Sequence, residues 1–331
     1  SNRRFIKKTL ETEDTVIIKK DTDKKNTNNR REAKFLHKLM EIKGSNSKYN
    51  DVNVLNLKDV TNGGELVLEY LSGGDMIVLY EEVNKSVNKS DLTPYEIYNE
   101  ILTICNNRNI NIKSLFLDIA NFIAMCYEND ILHNDIKFEN VLLDAKKEKA
   151  YVADLGYACK KSEKLRGRPK FGTDPYYDEK VVTDYNATIE ALETAVKKEE
   201  VNLGYVMTEH DIFSFGIMLF GMFFQIDVST KKVDLISSKS KKVSVVVPDV
   251  DEIKKTLEGL HISNEELDQL RNLIIKCLKR EYHIENVEDF RKDPWLQAIK
   301  TSRGSEQAVS TSSLHDLASP PVSPTGTPTA N

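Results

Sequence analysis

The opening residues FIKKTLETEDTVIIK (5–19) run from a short apolar-rich segment through a polar, charged turn into the β-branched run Val16-Ile17-Ile18, a pattern that predicts a hairpin. The Lys- and Asn-rich stretch KDTDKKNTNN (20–29) follows as an expected mobile loop. Ala33, Leu36, Leu39 and Met40 then recur at helical spacing and mark one face of a helix. VNVLNL (52–57) and ELVLEY (65–70) predict two further strands, separated by the turn Asn62-Gly63-Gly64.

After LSGGD the period changes. Leu115, Ile119, Phe122, Ile123 and Cys126 predict one long helix with a buried face. In ILHNDIKFENVLLD (131–144), polar residues sit between two short apolar runs, and KKEK then AYVAD complete a second hairpin. The apolar run from Phe213 to Ile226 has 14 residues, short of the roughly 20 a membrane span needs, so it predicts a buried helix. The chain thus reads as α+β: a small β-rich part to about residue 70, then a mainly helical part. Residues 301–331, with 12 Ser/Thr and four Pro, predict a disordered tail in which Ser319, Ser323 and Thr327 precede proline.

Composition narrows the classes. A 331-residue chain that is 40% hydrophobic can bury a sizeable core. Its 47 basic and 52 acidic residues are well mixed, which disfavours a nucleic-acid partner. Four scattered cysteines without CxxC spacing argue against a zinc site and a disulfide framework, and for a reducing compartment. The expectation is cytoplasmic, or secreted or vacuolar if a signal preceding Ser1 has been removed. Sequons at Asn84, Asn88 and Asn186 matter only for a secreted chain.

HNDIKFEN (133–140) followed by DLG (154–156) resembles the catalytic loop and metal-binding turn of eukaryotic-type protein kinases, written H-R-D-x-K-x-x-N and D-F-G. The resemblance spans about residues 5–298 and implies a bilobal fold, ATP and Mg²⁺ as cofactors, and a protein substrate. It divides the chain into an N-lobe (1–70) and a C-lobe (71–300) with insertions near 81–112 and 181–209. The Asn- and Lys-rich 81–112 is expected as a disordered loop, and the helical pattern ATIEALETAVKKEEV within 181–209 as a docking site for a partner. A monomer is expected.

Residue by residue, the resemblance assigns Asp135 to accept the substrate hydroxyl proton, Lys137 to neutralise the transferring phosphoryl group, and Asn140 and Asp154 to hold Mg²⁺. VIIK nominates Lys19 for the α- and β-phosphates, with Lys20 as competitor on the opposite face, and REAKFLHKL nominates Glu32 as its ion-pair partner. LVLEYLSGGD resembles the hinge: Leu68 guards the back pocket, Glu69 to Leu71 meet adenine, and Asp75 approaches ribose or substrate. Leu142, between Val141 and Leu143, closes the pocket from below. FGTDPYY puts Thr173 near Asp135 and Lys137, and with Lys137 points to a serine/threonine enzyme. DIFSFG gives Asp211 the task of holding the catalytic-loop backbone, and Pro294-Trp295-Leu296 resembles the family's ending.

Departures matter as much. The glycine-rich phosphate loop would fall at or before residue 3, so it either precedes this chain or does not exist, as in a small group of protozoan kinases. Asn134 replaces the arginine that in many kinases pairs with a phosphorylated activation loop, which predicts an enzyme that does not wait for that phosphate. Leu155 replaces the D-F-G phenylalanine, an apolar plug for an apolar plug. Asp178-Glu179-Lys180 stands where A-P-E would, and the arginine partner of that glutamate is missing from 281–290. The basic cluster from Lys160 to Lys170 reads as a solvated face or as an attractor of acidic substrates. These residues leave three readings: an active serine/threonine kinase, a pseudokinase used as a binding module, and a small-molecule kinase of related fold.

Overall fold

The computed structural model describes residues 4–9, 15–20, 27–87, 92–161, 176, 179–194, 210–224, 230–236, 242–282 and 286–301. Its first layer is an antiparallel sheet of β1 (Arg4–Thr9), β2 (Thr15–Lys20), β3 (Leu57–Val60) and β4 (Leu66–Glu69), ordered β1-β2-β4-β3. The expected hairpin is β1–β2, with Phe5 opposite Lys19 and Lys7 opposite Ile17.

Two expectations need correction here. VNVLNL is not a strand until its last residue: Val52, Val54 and Leu55 are buried, and Val54 bridges to Val152 of the helical part. That run packs between lobes, and the ladder starts at Leu57, so burial overrides β-propensity. The polar stretch 20–29 also contributes structure. Helix α1 (Thr27–Ser45) begins inside it, and buried Asn29 donates to the carbonyls of Lys19 and Gly64, both at 3.1 Å. Residues 21–26 lie outside the described residues.

The second part is helical. α2 (Met76–Ser86), α3 (Pro94–Asn106) and α4 (Ile112–Glu128) precede the small strands β5 (Ile131–Leu132), β6 (Val141–Leu143), β7 (Ala150–Val152) and β8 (Cys159–Lys160). The segment 81–112 is therefore not a disordered loop. Thr93 caps α3 in a capping box with Glu96, Pro94 opens the helix, and Ile97, Tyr98, Ile101 and Cys105 form a buried stripe that outweighs the polar composition. Residues 88–91, between the helices, lie outside the described residues.

Core packing centres on α4 and α6 (His210–Phe224), the latter buried along its whole length as its apolar run predicts. Phe116 meets Phe215 edge-on at 5.9 Å, and Phe223 meets Trp295 at 5.8 Å. Gly216 is required at one crossing, because a Cβ there would stand 2.7 Å from Cys277 Cβ of α8 (Glu265–Lys279). Between α6 and α8 come the hairpin β9 (Thr230–Ile236) and β10 (Lys242–Pro248) and then α7 (Val250–Gly259). The 181–209 insertion is helical in its first part, within α5 (Glu179–Thr194); residues 195–209 and the tail from 302 lie outside the described residues. No helix among the described residues is long and apolar enough to cross a membrane.

Candidate active site

Between sheet and helical part lies a cleft of ≈ 700 Å³. Lys19, Glu32, Leu68, Glu69, Leu71, Asp75, Asp135, Lys137, Asn140, Leu142 and Asp154 all line it, so the structure brings together every nominated site residue except Thr173. Thr173, Gly172 and most of the basic cluster lie outside the described residues. Phe5, Ile17, Leu55, Glu139 and Tyr157 line the cleft without having been nominated.

Strand alternation decides between the lysines. Lys19 is buried and turns into the cleft, where its ammonium pairs with Glu32 of α1 and lies 3.1 Å from Asp154 Oδ1. Lys20 points the other way and pairs with Glu65 at 2.8 Å. The short sequence interval from Lys19 to Glu32 is enough, because α1 begins at Thr27 and Asn29 ties its first turn to β2.

The catalytic-loop candidate is held from below. Asp211, at the start of α6, accepts the backbone N–H groups of His133 and Asn134, each at 2.7 Å. Burial pushes its carboxyl up to about 7 although both N–H groups favour the charge. Burial pushes the His133 imidazole down to about 4. A neutral ring fits its bonds: Nε2 donates to the Ala153 carbonyl at 3.0 Å, and Nδ1 accepts the Asp135 N–H at 3.2 Å.

Asp135 is thereby aimed into the cleft. Its Oδ2 accepts from Asn140 Nδ2 at 2.8 Å and lies 3.2 Å from Lys137 Nζ. Asn140 also donates to the Asp135 carbonyl at 2.8 Å, which leaves its own Oδ1 as the remaining acceptor. Asp154 takes the left-handed conformation (φ 67°, ψ 62°), with its carboxylate beside Lys19. Leu155 behind it is fully buried, as an apolar plug should be.

Asn134 is the informative departure. It is buried at φ 65°, a conformation asparagine tolerates better than most residues. Its carboxamide donates to the Tyr157 carbonyl at 3.1 Å and to Cys159 Sγ at 3.3 Å. The segment after Asp154 is thus tied to the loop by a neutral amide.

Hard oxygen donors on Asn140 and Asp154 suit Mg²⁺, which takes one or two protein ligands and completes its shell with phosphates and water. Among the described residues, no group of three or more His, Cys, Asp or Glu could hold a metal ion. Asp75 Oδ1 is buried without a hydrogen-bond partner, and the residue lines the cleft. Gly73 keeps the crossing strand close: its N–H donates to the Leu143 carbonyl at 3.1 Å, and a Cβ there would lie 2.0 Å from the Asp144 carbonyl oxygen. Glu179, displaced from the family's position, pairs with Lys231 of β9 at 2.6 Å. Nothing in the sequence marks Lys231 as its partner, since the hairpin carrying it has no counterpart in the motifs.

Comparison with known proteins gives a consistent picture. The model of the family described as protein kinase domain matches residues 5–295. Serine/threonine-protein kinase SKS1 of Saccharomyces cerevisiae is 32% identical over 117 residues, 35% of this chain and 22% of that protein. Inhibitor of nuclear factor kappa-B kinase subunit beta of Bos taurus is 31% identical over 113 residues, 34% of this chain and 14% of that protein. Cell division control protein 2 homolog D of Antirrhinum majus is 39% identical over 49 residues, 15% of this chain and 16% of that protein. The matched segments therefore span less than a quarter of each relative.

Proposed function

Since the chain belongs to the protein kinase family, we propose that it transfers the γ-phosphoryl group of ATP to serine and threonine hydroxyls of a protein substrate, without needing a phosphate on its own activation segment. One observation carries the reading. Lys19, paired with Glu32 and Asp154, shares a single cleft with the linked set Asp135, Lys137 and Asn140.

ATP with Mg²⁺ supplies the phosphoryl group and the charge neutralisation at its phosphates. Lys19 meets the α- and β-phosphates, held in place by Glu32. Asn140 and Asp154 hold the cation through oxygen. Leu68 stands at the back of the base's pocket, Leu142 closes it from below, and the backbone from Glu69 to Leu71 offers the base hydrogen bonds. Asp135 orients the substrate hydroxyl and takes its proton, and Lys137 stabilises charge on the group in transit. Thr173 belongs to the same proposal as the residue that steadies Asp135 and Lys137. The proposal keeps a monomer that meets its substrate in the cytoplasm, with 181–209 as the docking segment.

Independence from phosphorylation follows from Asn134. A neutral amide already satisfied by Tyr157 and Cys159 presents no cation for a phosphate to recruit. Phosphoamino-acid analysis of a generic acceptor protein is the test of substrate class: phosphoserine and phosphothreonine are expected, and phosphotyrosine alone would contradict the proposal.

The second reading, a binding module without catalysis, is favoured by the altered positions Asn134 and Asp178-Glu179-Lys180. Thermal denaturation with and without Mg-ATP separates the two. Selective binding to the folded state adds about 2.7 kcal/mol at a hundredfold excess over Kd. No shift in melting temperature supports the module.

A further inference from the structure

The β9–β10 hairpin carries a lysine on its apolar face. Lys231 is opposite Val247, and Val233 is opposite Val245. Residues directly opposite on paired strands share a face, as do residues two apart on one strand. Val247 and Val245 are buried and Val233 packs against the core, so Lys231 stands on the side that the hairpin turns inward. Exposed Lys232 takes the other side. Lys231 remains 37% exposed, at the rim of its face, and its ammonium lies 2.6 Å from the carboxylate of Glu179, the first residue of α5. Asp249 and Asp251, at the start of α7, add negative charge around it.

Three residues before Glu179 stands Tyr176, partly buried against the core. Its carbonyl accepts from Ser214 Oγ of α6 at 3.4 Å, and its phenol shares a hydrogen bond with the backbone of Phe138, inside the loop from Asp135 to Asn140. Three residues span at most about 11 Å, so a shift at the start of α5 is felt at the residue seated on the catalytic loop. Buried Val181 and Val182 root the helix in the core just beyond Glu179.

We propose that Lys231 is a positioning residue for the protein substrate: through Glu179 it fixes the start of α5, and with it the segment that Tyr176 seats against the loop of Asp135. The inference rests on reading the cleft as a phosphotransfer site. Neither Glu179 nor Lys231 is among the residues that line the cleft, and Lys19, Glu32, Leu68, Asn140 and Asp154 stand on other elements. Nucleotide binding should therefore be blind to the pair, while the acceptor protein meets the segment that the pair holds.

The test uses Lys231→Met, Glu179→Gln, the two together and Lys231→Arg, with Lys232→Met on the opposite face as control. Transfer to a generic acceptor protein and binding of Mg-ADP are measured for each. Lys231→Met and Glu179→Gln should each lower kcat/KM for the acceptor about three- to fivefold, the scale of a well-formed, partly exposed ion pair, with KM for ATP and Mg-ADP affinity unchanged. The double variant should be no worse than either single, because each removes the same contact. Lys231→Arg should keep most of the activity and Lys232→Met all of it. Glu179→Gln carries the same test if Lys231→Met fails to fold. Wild-type kcat/KM for the acceptor in both single variants, losses that add in the double, or an equal loss of nucleotide affinity overturns the assignment of Lys231 while leaving the phosphotransfer site intact. A wild-type chain that transfers no phosphate to protein overturns the reading beneath it and this inference with it.

Discussion

Replacing Asn134 separates what its backbone needs from what its side chain does. At φ 65° alanine is disfavoured by about 1 kcal/mol, a cost glycine does not carry. Either substitution removes the donor to the Tyr157 carbonyl and Cys159 Sγ, worth about 1–1.5 kcal/mol net. Either also removes Oδ1, which is buried without a partner and whose loss returns about 1 kcal/mol. Asn134→Ala should therefore lose roughly 1–2 kcal/mol, and Asn134→Gly about 1 kcal/mol less. Thermal denaturation followed at Trp295 reads the order wild type, then glycine, then alanine. In both variants kcat should fall, because the tether between the loop of Asp135 and the segment after Asp154 has gone. An alanine variant as stable and active as wild type would refute the tether, and a glycine variant no more stable than alanine would refute the backbone argument.

Lys19→Met leaves buried Glu32 without its cation and should cost about 3–5 kcal/mol, whereas Lys19→Met with Glu32→Leu should recover most of it in denaturant titration; a double variant no more stable than the single contradicts the buried pair. Gly73→Ala drives a Cβ against the backbone oxygens of Asp144 and Leu143, at 2.0 and 2.7 Å, and should lose more than about 2 kcal/mol, while Gly63→Ala, meeting Thr61 Oγ1 at 3.7 Å, serves as a tolerant control in the same melts. Two opposed terms govern acid stability. Asp211, raised from 3.8 to about 7, makes a contribution that is complete below about 3.8 and lost as pH rises to about 7. His133, lowered from 6.5 to about 4, makes one that is present above 6.5 and lost as pH falls to about 4. Asp211→Asn removes the first term only, so its stability should fall more steeply than wild type between pH 6.5 and 4; parallel curves would refute the assignment.

Much of this architecture was legible because chemistry and period agree locally. The β1–β2 hairpin, the buried α6 and the hairpin from Val141 to Val152 each follow from runs whose period matches their surroundings. The polar site residues were legible because HNDIKFEN and DLG are each unbroken runs, and within the first chain connectivity alone brings Asp135, Lys137 and Asn140 near one another. What escaped depends on distant contacts. Val52 to Leu55 reads as a strand but packs between lobes, and α3 is hidden by the Asn- and Lys-rich residues around it until its apolar stripe meets α6, where the Tyr98 ring lies tilted against Phe223 with centroids 5.6 Å apart. Phe5 was passed over because only the register against Lys19 tells which way it faces. The pairing of Glu179 with Lys231 needed a hairpin that no motif announces.

The central claim is that this cleft transfers phosphate through Asp135 and needs no phosphate on its own chain. Incorporation of the ATP γ-phosphate into a generic protein acceptor, with Mg²⁺ and phosphatase-treated enzyme, measures it directly beside the Asp135→Asn variant. The account predicts transfer by the treated wild type and a loss of at least about a hundredfold in the variant, as expected when a positioned general base is removed. Equal incorporation by both proteins, or none by the wild type until its activation segment is phosphorylated, would contradict it.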